Sequence, residues 1–220
     1  MDSNASLEGK INELQEKIKA ANLPADLTEK LEEELSVLGG SLKSDPSAGP
    51  GLFMNFENFL SYVNSILSLP FNLETKDILD LSRAKTVLDK NHYGLDSVKD
   101  LILEYLSSLI LNINSQSISR SPIICLVGLV GTGKTTLASS IAQALGRRFE
   151  RIPLGGMGDA SDLRGKSRGV IDAEPGLVVK SLINAQSKNC VILLDELDRV
   201  TDVGRKDIMG VLVELLDPEQ

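Results

Sequence analysis

From Gly128 the chain reads Gly-Leu-Val-Gly-Thr-Gly-Lys-Thr-Thr, so that Gly128, Gly131 and Gly133 are followed at once by Lys134, Thr135 and Thr136. Glycines at this spacing let backbone N–H groups converge on an anion with no side chain in the way, and a helix starting at the lysine aims its positive end at the same point. A nucleotide phosphate fits that geometry. Lys134 would reach the β- and γ-phosphates and Thr135 would place its hydroxyl on Mg²⁺, while Gly128, Leu129, Val130, Gly131, Thr132, Gly133 and Thr136 complete the cradle. The apolar run Ile123-Ile124-Cys125-Leu126-Val127 before the loop and the helix-forming stretch to Leu145 after it supply the strand–loop–helix setting that the pattern requires.

A second group of residues suits the same chemistry. Val191-Ile192-Leu193-Leu194 predicts a buried strand, and it runs directly into Asp195-Glu196. Carboxylates at the C-terminal end of a parallel strand stand where such sheets place their ligands. Asp195 would hold Mg²⁺ through water, and Glu196 would orient or deprotonate an attacking water. A solvated acidic strand end is the plainer alternative for the pair alone, and the phosphate loop upstream weighs against it. A glutamate suited to water activation favours ATP hydrolysis over phosphoryl transfer to a small acceptor, for which no site is evident.

Composition narrows the field. The chain has 220 residues, 42% hydrophobic and 25% charged, with 23 basic against 31 acidic side chains and a formal charge of −8. That balance argues against a nucleic-acid binder, whose surface would be basic. Cys125 and Cys190 both sit inside apolar runs and are expected as buried free thiols on strands. With His92 the one histidine, a His-rich metal site is excluded. The longest apolar stretch is about half of what a membrane span needs. The opening Met1-Asp2-Ser3-Asn4 has neither a basic signal region nor an Arg-rich transit pattern, so a soluble protein of a reducing compartment is expected.

The elements that would position these residues fall into segments of different texture. Residues 1–38 predict a helical hairpin: Leu7, Ile11, Leu14, Ile18 and Ala21 form one apolar stripe, Pro24 breaks it, and Leu27, Leu31, Leu35 and Leu38 form a second, ended by Gly39-Gly40. Residues 39–52, rich in Gly, Ser and Pro, predict a linker. Residues 53–111 predict three helices: one with Phe56, Phe59, Val63 and Ile66 on a face, one from Ile78 to Leu88, and one from Leu95 to Leu111 after the break at Asn91-His92-Tyr93-Gly94. Residues 112–220 change period. A polar loop leads to short apolar strands at 123–127, 149–154 and 190–194, alternating with helices at 134–145, 176–186 and 207–216, which indicates a parallel α/β sheet.

With these strings assembled, the chain resembles the Lon ATP-dependent proteases of the AAA+ class over most of its length. Leu69-Pro70-Phe71, the run from Leu88 to Leu95, and Val98 to Leu106 are similar to that family's helical segment. Arg151-Ile152, Leu154-Gly155-Gly156, Arg164-Gly165, Pro175-Gly176, Leu194-Asp195-Glu196 and the closing Leu215 to Gln220 are similar to its ATPase core. The implied fold is a helical hairpin and helical segment followed by a truncated P-loop AAA+ sheet (α plus α/β). The implied activity is a homo-hexameric ring that hydrolyses ATP with Mg²⁺ and feeds misfolded or regulatory protein substrates to a serine peptidase, with neither nucleic acid nor membrane required. The resemblance also puts His92, Tyr93 and Gly94 near the adenine, whereas their types alone suit core or turn positions.

Departures from the family carry expectations of their own. Leu129 and Val130 replace two prolines, which leaves backbone phosphate binding intact. Val170 stands where the family has an aromatic, Asp172 where it has glycine, and Glu174 where it has an apolar residue. That loop grips substrate in the ring's pore, and an aromatic supplies contact area at low entropy cost, so this version is expected to grip apolar peptides poorly. By the resemblance, the family's sensor strand, arginine finger, lid and Ser-Lys peptidase would come only after Gln220. The sheet is then expected to have open edges at 123–127 and 191–195, with weak ATP binding and no turnover from these residues alone. A peroxisomal matrix is favoured over cytoplasm, and both over the mitochondrial matrix. The competing expectation is a non-catalytic protein whose hairpin docks on full-length subunits and regulates the ring.

Overall fold

A computed structural model describes residues 2–44, 50–114, 123–170 and 173–217. Along the chain run α1 (Asp2–Ala20), α2 (Ala25–Ser44), α3 (Pro50–Leu67), α4 (Leu81–Asn91), α5 (Asp96–Asn114), α6 (Lys134–Leu145), β1 (Phe149–Pro153), the single-turn α7 (Ser161–Arg164), α8 (Leu177–Ala185), β2 (Val191–Asp195), a 3₁₀ turn (Leu197–Arg199) and α9 (Arg205–Leu216). The residues group into two compact units, Met1–Asn72 with Ser161–Ile183 and Leu73–Ala160 with Asn184–Gln220. The domain break expected at 111–112 therefore falls inside the second unit. Of the expected linker, 45–49 lies outside the described residues, as do 115–122 of the polar loop, Ile171-Asp172, and the closing Pro218-Glu219-Gln220.

In the first unit the two apolar stripes close on a third helix. Leu14 and Ile18 of α1, Leu31 and Leu35 of α2, and Phe56, Phe59, Val63 and Ile66 of α3 form one buried cluster. Each such side chain contributes about 1.5–3 kcal/mol by leaving water. Pro24 starts α2 by accepting from the Leu27 and Thr28 amides at 3.1 and 2.9 Å. Gly39-Gly40, expected to end α2, instead lie inside it, and the helix runs to Ser44. A Cβ on Gly39 would make only ordinary contact with Ile11 Cδ1 of α1, at 3.7 Å.

The segment 161–183 of this unit is a closed loop. Gly165 and Pro175 form an antiparallel bridge. The Lys166 amide donates to the Glu174 carbonyl at 3.0 Å. A Cβ on Gly176 would lie 1.9 Å from the Leu163 carbonyl oxygen, so only glycine lets the two backbones touch. Arg168 seats this loop on α2 and α3. Its guanidinium donates to both Glu34 oxygens, at 2.6 and 3.2 Å, and lies 4.1 Å from the Tyr62 ring centre. Its carbonyl accepts from Asn58 Nδ2 at 3.3 Å. Bidentate geometry on a half-exposed pair makes this contact worth about 1 kcal/mol. Glu34→Gln is accordingly expected to raise the hydrogen-exchange rate of the 165–170 amides about fivefold, leaving the α1 and α3 amides unchanged.

In the second unit, α4, α5 and α6 share a core of Ala84, Leu88, Ile102, Leu106, Leu109, Leu137, Ile141, Ala144 and Leu145. The helix expected from Ile78 starts later, at Leu81, because Asp80 caps it, accepting from the Ser82 and Arg83 amides at 2.9 and 3.2 Å. Asp80→Ala is expected to lower stability by about 1 kcal/mol, read as a shift of the urea midpoint. Residues 73–79 ahead of the cap are irregular and strapped to the α/β part. Asn189 Oδ1 accepts from the Thr75 amide at 2.9 Å, its Nδ2 donates to the Thr75 carbonyl at 2.8 Å, and Arg147 forks onto Asp77 at 2.8 and 2.6 Å. That lacing is why the unit begins at Leu73.

The sheet pairs β1 with β2 in parallel, with Phe149 opposite Val191 and Pro153 opposite Asp195. Ile123–Val127 joins no ladder, contrary to the expected strand. A strand needs a neighbour to bond, and no other sheet pairing occurs among the described residues. Ile123 and Val127 are exposed as a result. Both cysteines are free, and Cys125 is exposed rather than buried, because the run that carries it stands outside the sheet. Cys190 is half-buried, and burial pushes its thiol up. No helix among the described residues is long and apolar enough to cross a membrane.

Candidate nucleotide site

The glycine loop turns sharply where the sequence places its glycines. Gly131 and Gly133 hold φ of 82° and 86°, a region that L side chains rarely adopt. Gly133 is also the N-cap of α6 and offers no side-chain cap, so the first amides of the helix stay open to an external anion. The loop's own hydroxyls brace it: Thr132 Oγ1 donates to the Leu129 carbonyl and Thr136 Oγ1 to the Gly133 carbonyl, each at 2.8 Å. Lys134 folds back, with Nζ 2.8 Å from the carbonyls of both Gly128 and Leu129. An ammonium resting on carbonyl oxygens can exchange them for phosphate oxygens.

At the end of β2, Asp195 faces this loop. Thr135 Oγ1 donates to Asp195 Oδ2 at 3.0 Å, and the Glu196 amide donates to Oδ1 at 2.9 Å. Arg151 Nε also lies 2.8 Å from Oδ2. Burial pushes the Asp195 carboxyl upward, but the bonds from Thr135, Arg151 and the Glu196 amide outweigh it and hold it below the usual carboxylate range. Asp195 is therefore an anion at neutral pH.

Glu196 is held differently. Its backbone is left-handed at φ 59°, an uncommon state for a non-glycine residue that is stored where surrounding bonds enforce it. The Leu154 amide donates to the Asp195 carbonyl at 2.8 Å, and the Gly156 amide to the Arg199 carbonyl at 3.0 Å. Arg199 Nη1 donates to Glu196 Oε1 at 3.2 Å. The carboxylate lies over Gly155, where a Cβ would come within 2.3 Å of Oε2. The Leu154-Gly155-Gly156 string thus has a physical role in giving the Glu196 side chain room.

His92, Tyr93 and Gly94 are not among the residues lining the cavity beside the glycine loop. His92 Nε2 is 2.9 Å from Ser140 Oγ, and the His92 carbonyl accepts from Lys99 Nζ at 2.8 Å. Gly94 turns with φ 67°. Tyr93 is fully exposed. That cavity, of about 390 Å³, is lined by Leu95, Val98, Leu101 and Tyr105 together with Gly128 and Lys134. The lining begins at Leu95, directly after His92, Tyr93 and Gly94. The helical spacing of these side chains was visible in the sequence, but the cavity they line was not. Sequence reasoning also missed Arg151, whose pairing depends on strand register.

The donors present suit Mg²⁺. A threonine hydroxyl and an ionised carboxylate, 3.0 Å apart, are hard oxygen ligands, and Mg²⁺ is commonly held by one or two protein oxygens with water and phosphate filling the rest. No group of three or more His, Cys, Asp or Glu residues suited to a metal occurs among the described residues.

Comparison with known proteins agrees with the geometry. Residues 124–220 match the ATPase family associated with various cellular activities (AAA). The chain is 41% identical over 209 residues to a Lon protease of Clostridioides difficile (strain 630), covering 95% of this chain and 25% of that protein. It is 42% identical over 210 residues to a Lon protease of Syntrophomonas wolfei (96% and 24%). A Lon protease 2 of Herpetosiphon aurantiacus is 41% identical over 210 residues (96% and 24%). The chain thus spans about a quarter of the length of the curated relatives it matches. Over nearly all of its residues it is a Lon-type AAA+ segment, comprising the helical part and the front of the ATPase domain.

Proposed function

We propose that this chain binds Mg²⁺–ATP at Gly128–Thr136 and Asp195, and that it serves as the nucleotide-binding front of an ATP-dependent serine protease acting on proteins. The 3.0 Å contact between Thr135 Oγ1 and Asp195 Oδ2 carries this reading, because it joins two motifs that are far apart in sequence. Bound Mg²⁺ would supply charge neutralisation for the β- and γ-phosphates. The open amides of α6 and Lys134 bind the phosphates, Thr135 and Asp195 hold the metal, and the apolar start of α5 takes the base. Glu196 orients the attacking water once Arg199 releases its carboxylate. A homo-hexameric ring, passage of protein substrate past Val170, and peptide cleavage belong to the same proposal at the level of the whole protein. The sequence alone favours the peroxisomal matrix, whereas the bacterial Lon proteases that the chain matches support the cytoplasm instead.

The test is calorimetric titration of ATP into this chain with Mg²⁺ and with chelator. Saturable binding that Mg²⁺ strengthens is expected, and its absence in both buffers would overturn the reading. A second reading, a non-catalytic partner of full-length subunits, draws on the apolar side chains exposed at Ile123, Val127, Leu129, Val130 and Val213. Co-sedimentation with a full-length hexamer supports it, and a strictly monomeric chain ends it.

A further inference from the structure

Asp195 already has a cation beside it. Pro153 of β1 is the register partner of Asp195, and Arg151 lies two residues before Pro153, so Arg151 and Asp195 emerge on the same face of the strand pair. The guanidinium reaches the carboxylate with Nε 2.8 Å from Oδ2, the oxygen that also accepts from Thr135 Oγ1 at 3.0 Å. The remaining oxygen, Oδ1, is taken by the Glu196 amide. Asp195 is largely covered, with 13% of its side chain exposed, whereas Arg151 is 46% exposed and free to swing outward.

We propose that Arg151 is a positioning residue that occupies the cation side of Asp195 until Mg²⁺ arrives with nucleotide. The inference rests on the nucleotide-site reading above. Two cations cannot draw on one carboxylate oxygen at contact distance without strong mutual repulsion. A metal ion that reaches Thr135 and Asp195 alone must displace the guanidinium and gains no compensating charge. A metal ion that arrives on a triphosphate brings several anionic oxygens to which a guanidinium binds well, so Arg151 can leave Asp195 without losing an anionic partner. The arrangement keeps Asp195 ionised and aimed, and it makes metal loading conditional on nucleotide.

The probe is Mn²⁺, a paramagnetic stand-in for Mg²⁺, titrated by electron paramagnetic resonance into the 220-residue chain without nucleotide. Arg151→Gln is expected to bind Mn²⁺ about tenfold more tightly than the unaltered chain. Arg151→Lys, which keeps the charge, should bind it as the unaltered chain does, and adding Asp195→Asn to Arg151→Gln should abolish the gain. Circular dichroism on the lysine and glutamine variants checks that β1 remains paired. Equal or weaker Mn²⁺ binding by Arg151→Gln overturns the proposal, and so does no detectable binding by either. Titration of a fluorescent ATP analogue, with Mg²⁺ and with chelator, separates the two readings. A Mn²⁺ gain without any nucleotide binding leaves the cation role standing and removes the nucleotide site. Nucleotide binding without the gain removes the cation role alone.

Discussion

Replacement of Lys134 by alanine is expected to lower ATP affinity by at least about a hundredfold, or roughly 2.8 kcal/mol at 1.4 kcal/mol per tenfold. The loss of the phosphate contacts dominates in this variant. The ammonium that would neutralise the β- and γ-phosphates is gone, and charge-assisted bonds to phosphate are among the strongest polar contacts available. The carbonyls of Gly128 and Leu129, which Nζ bonds at 2.8 Å each without nucleotide, are given up on binding, so the loss of those bonds offsets part of the effect. Lys134→Arg keeps the charge but not the compact shape that fits between two carbonyls, so it should recover only part of the loss. Calorimetry on both variants measures the effect, with helical content checked by circular dichroism. Unchanged affinity in Lys134→Ala would mean that the phosphates are held elsewhere.

The second large effect concerns stability. Phe56 is 1% exposed and stands among Leu14, Ile18, Leu31 and Leu35 from the two hairpin helices. Phe56→Ala removes most of an aromatic side chain and leaves a cavity at the meeting point of three helices. A loss of about 3–5 kcal/mol is expected, because transfer and cavity terms add. The α1–α2 hairpin has no other helix among its described core contacts, so it should lose protection from hydrogen exchange first. The core of Leu88, Leu106 and Ile141 belongs to the other unit and should keep its own protection. A denaturant midpoint left unmoved would show that α3 is not what closes the hairpin.

Local pattern carried some of this architecture and missed the rest for identifiable reasons. The stripes of α1, α2 and α3 were legible because burial against a neighbour demands helical spacing, and the structure buries Leu14, Ile18, Leu31, Leu35, Phe56 and Val63 as that spacing predicts. The glycine loop and α6 were legible because positive φ at Gly131 and Gly133 restricts the residue type. The boundary at Leu73 was not, since it depends on the side chain of Asn189 reaching Thr75, more than a hundred residues away. Ile123–Val127 has the composition of a strand, but composition cannot supply a pairing partner. Arg151 was invisible because nothing short of the β1–β2 register says which residues share a face with Asp195. Asp80 could have been found, as an acidic cap two residues ahead of Ser82, had Ile78 and Leu79 not extended the apolar pattern.

The seat of Arg168 on Glu34 and Tyr62 has a mechanical consequence. The guanidinium is gripped by a carboxylate from α2 and a ring from α3, so the stretch leading to Val170 is anchored to two helices at once. A force that splays α2 from α3 must loosen one of those grips before the other. A displacement of α2 against α3 therefore reaches the stretch before Val170 through Arg168.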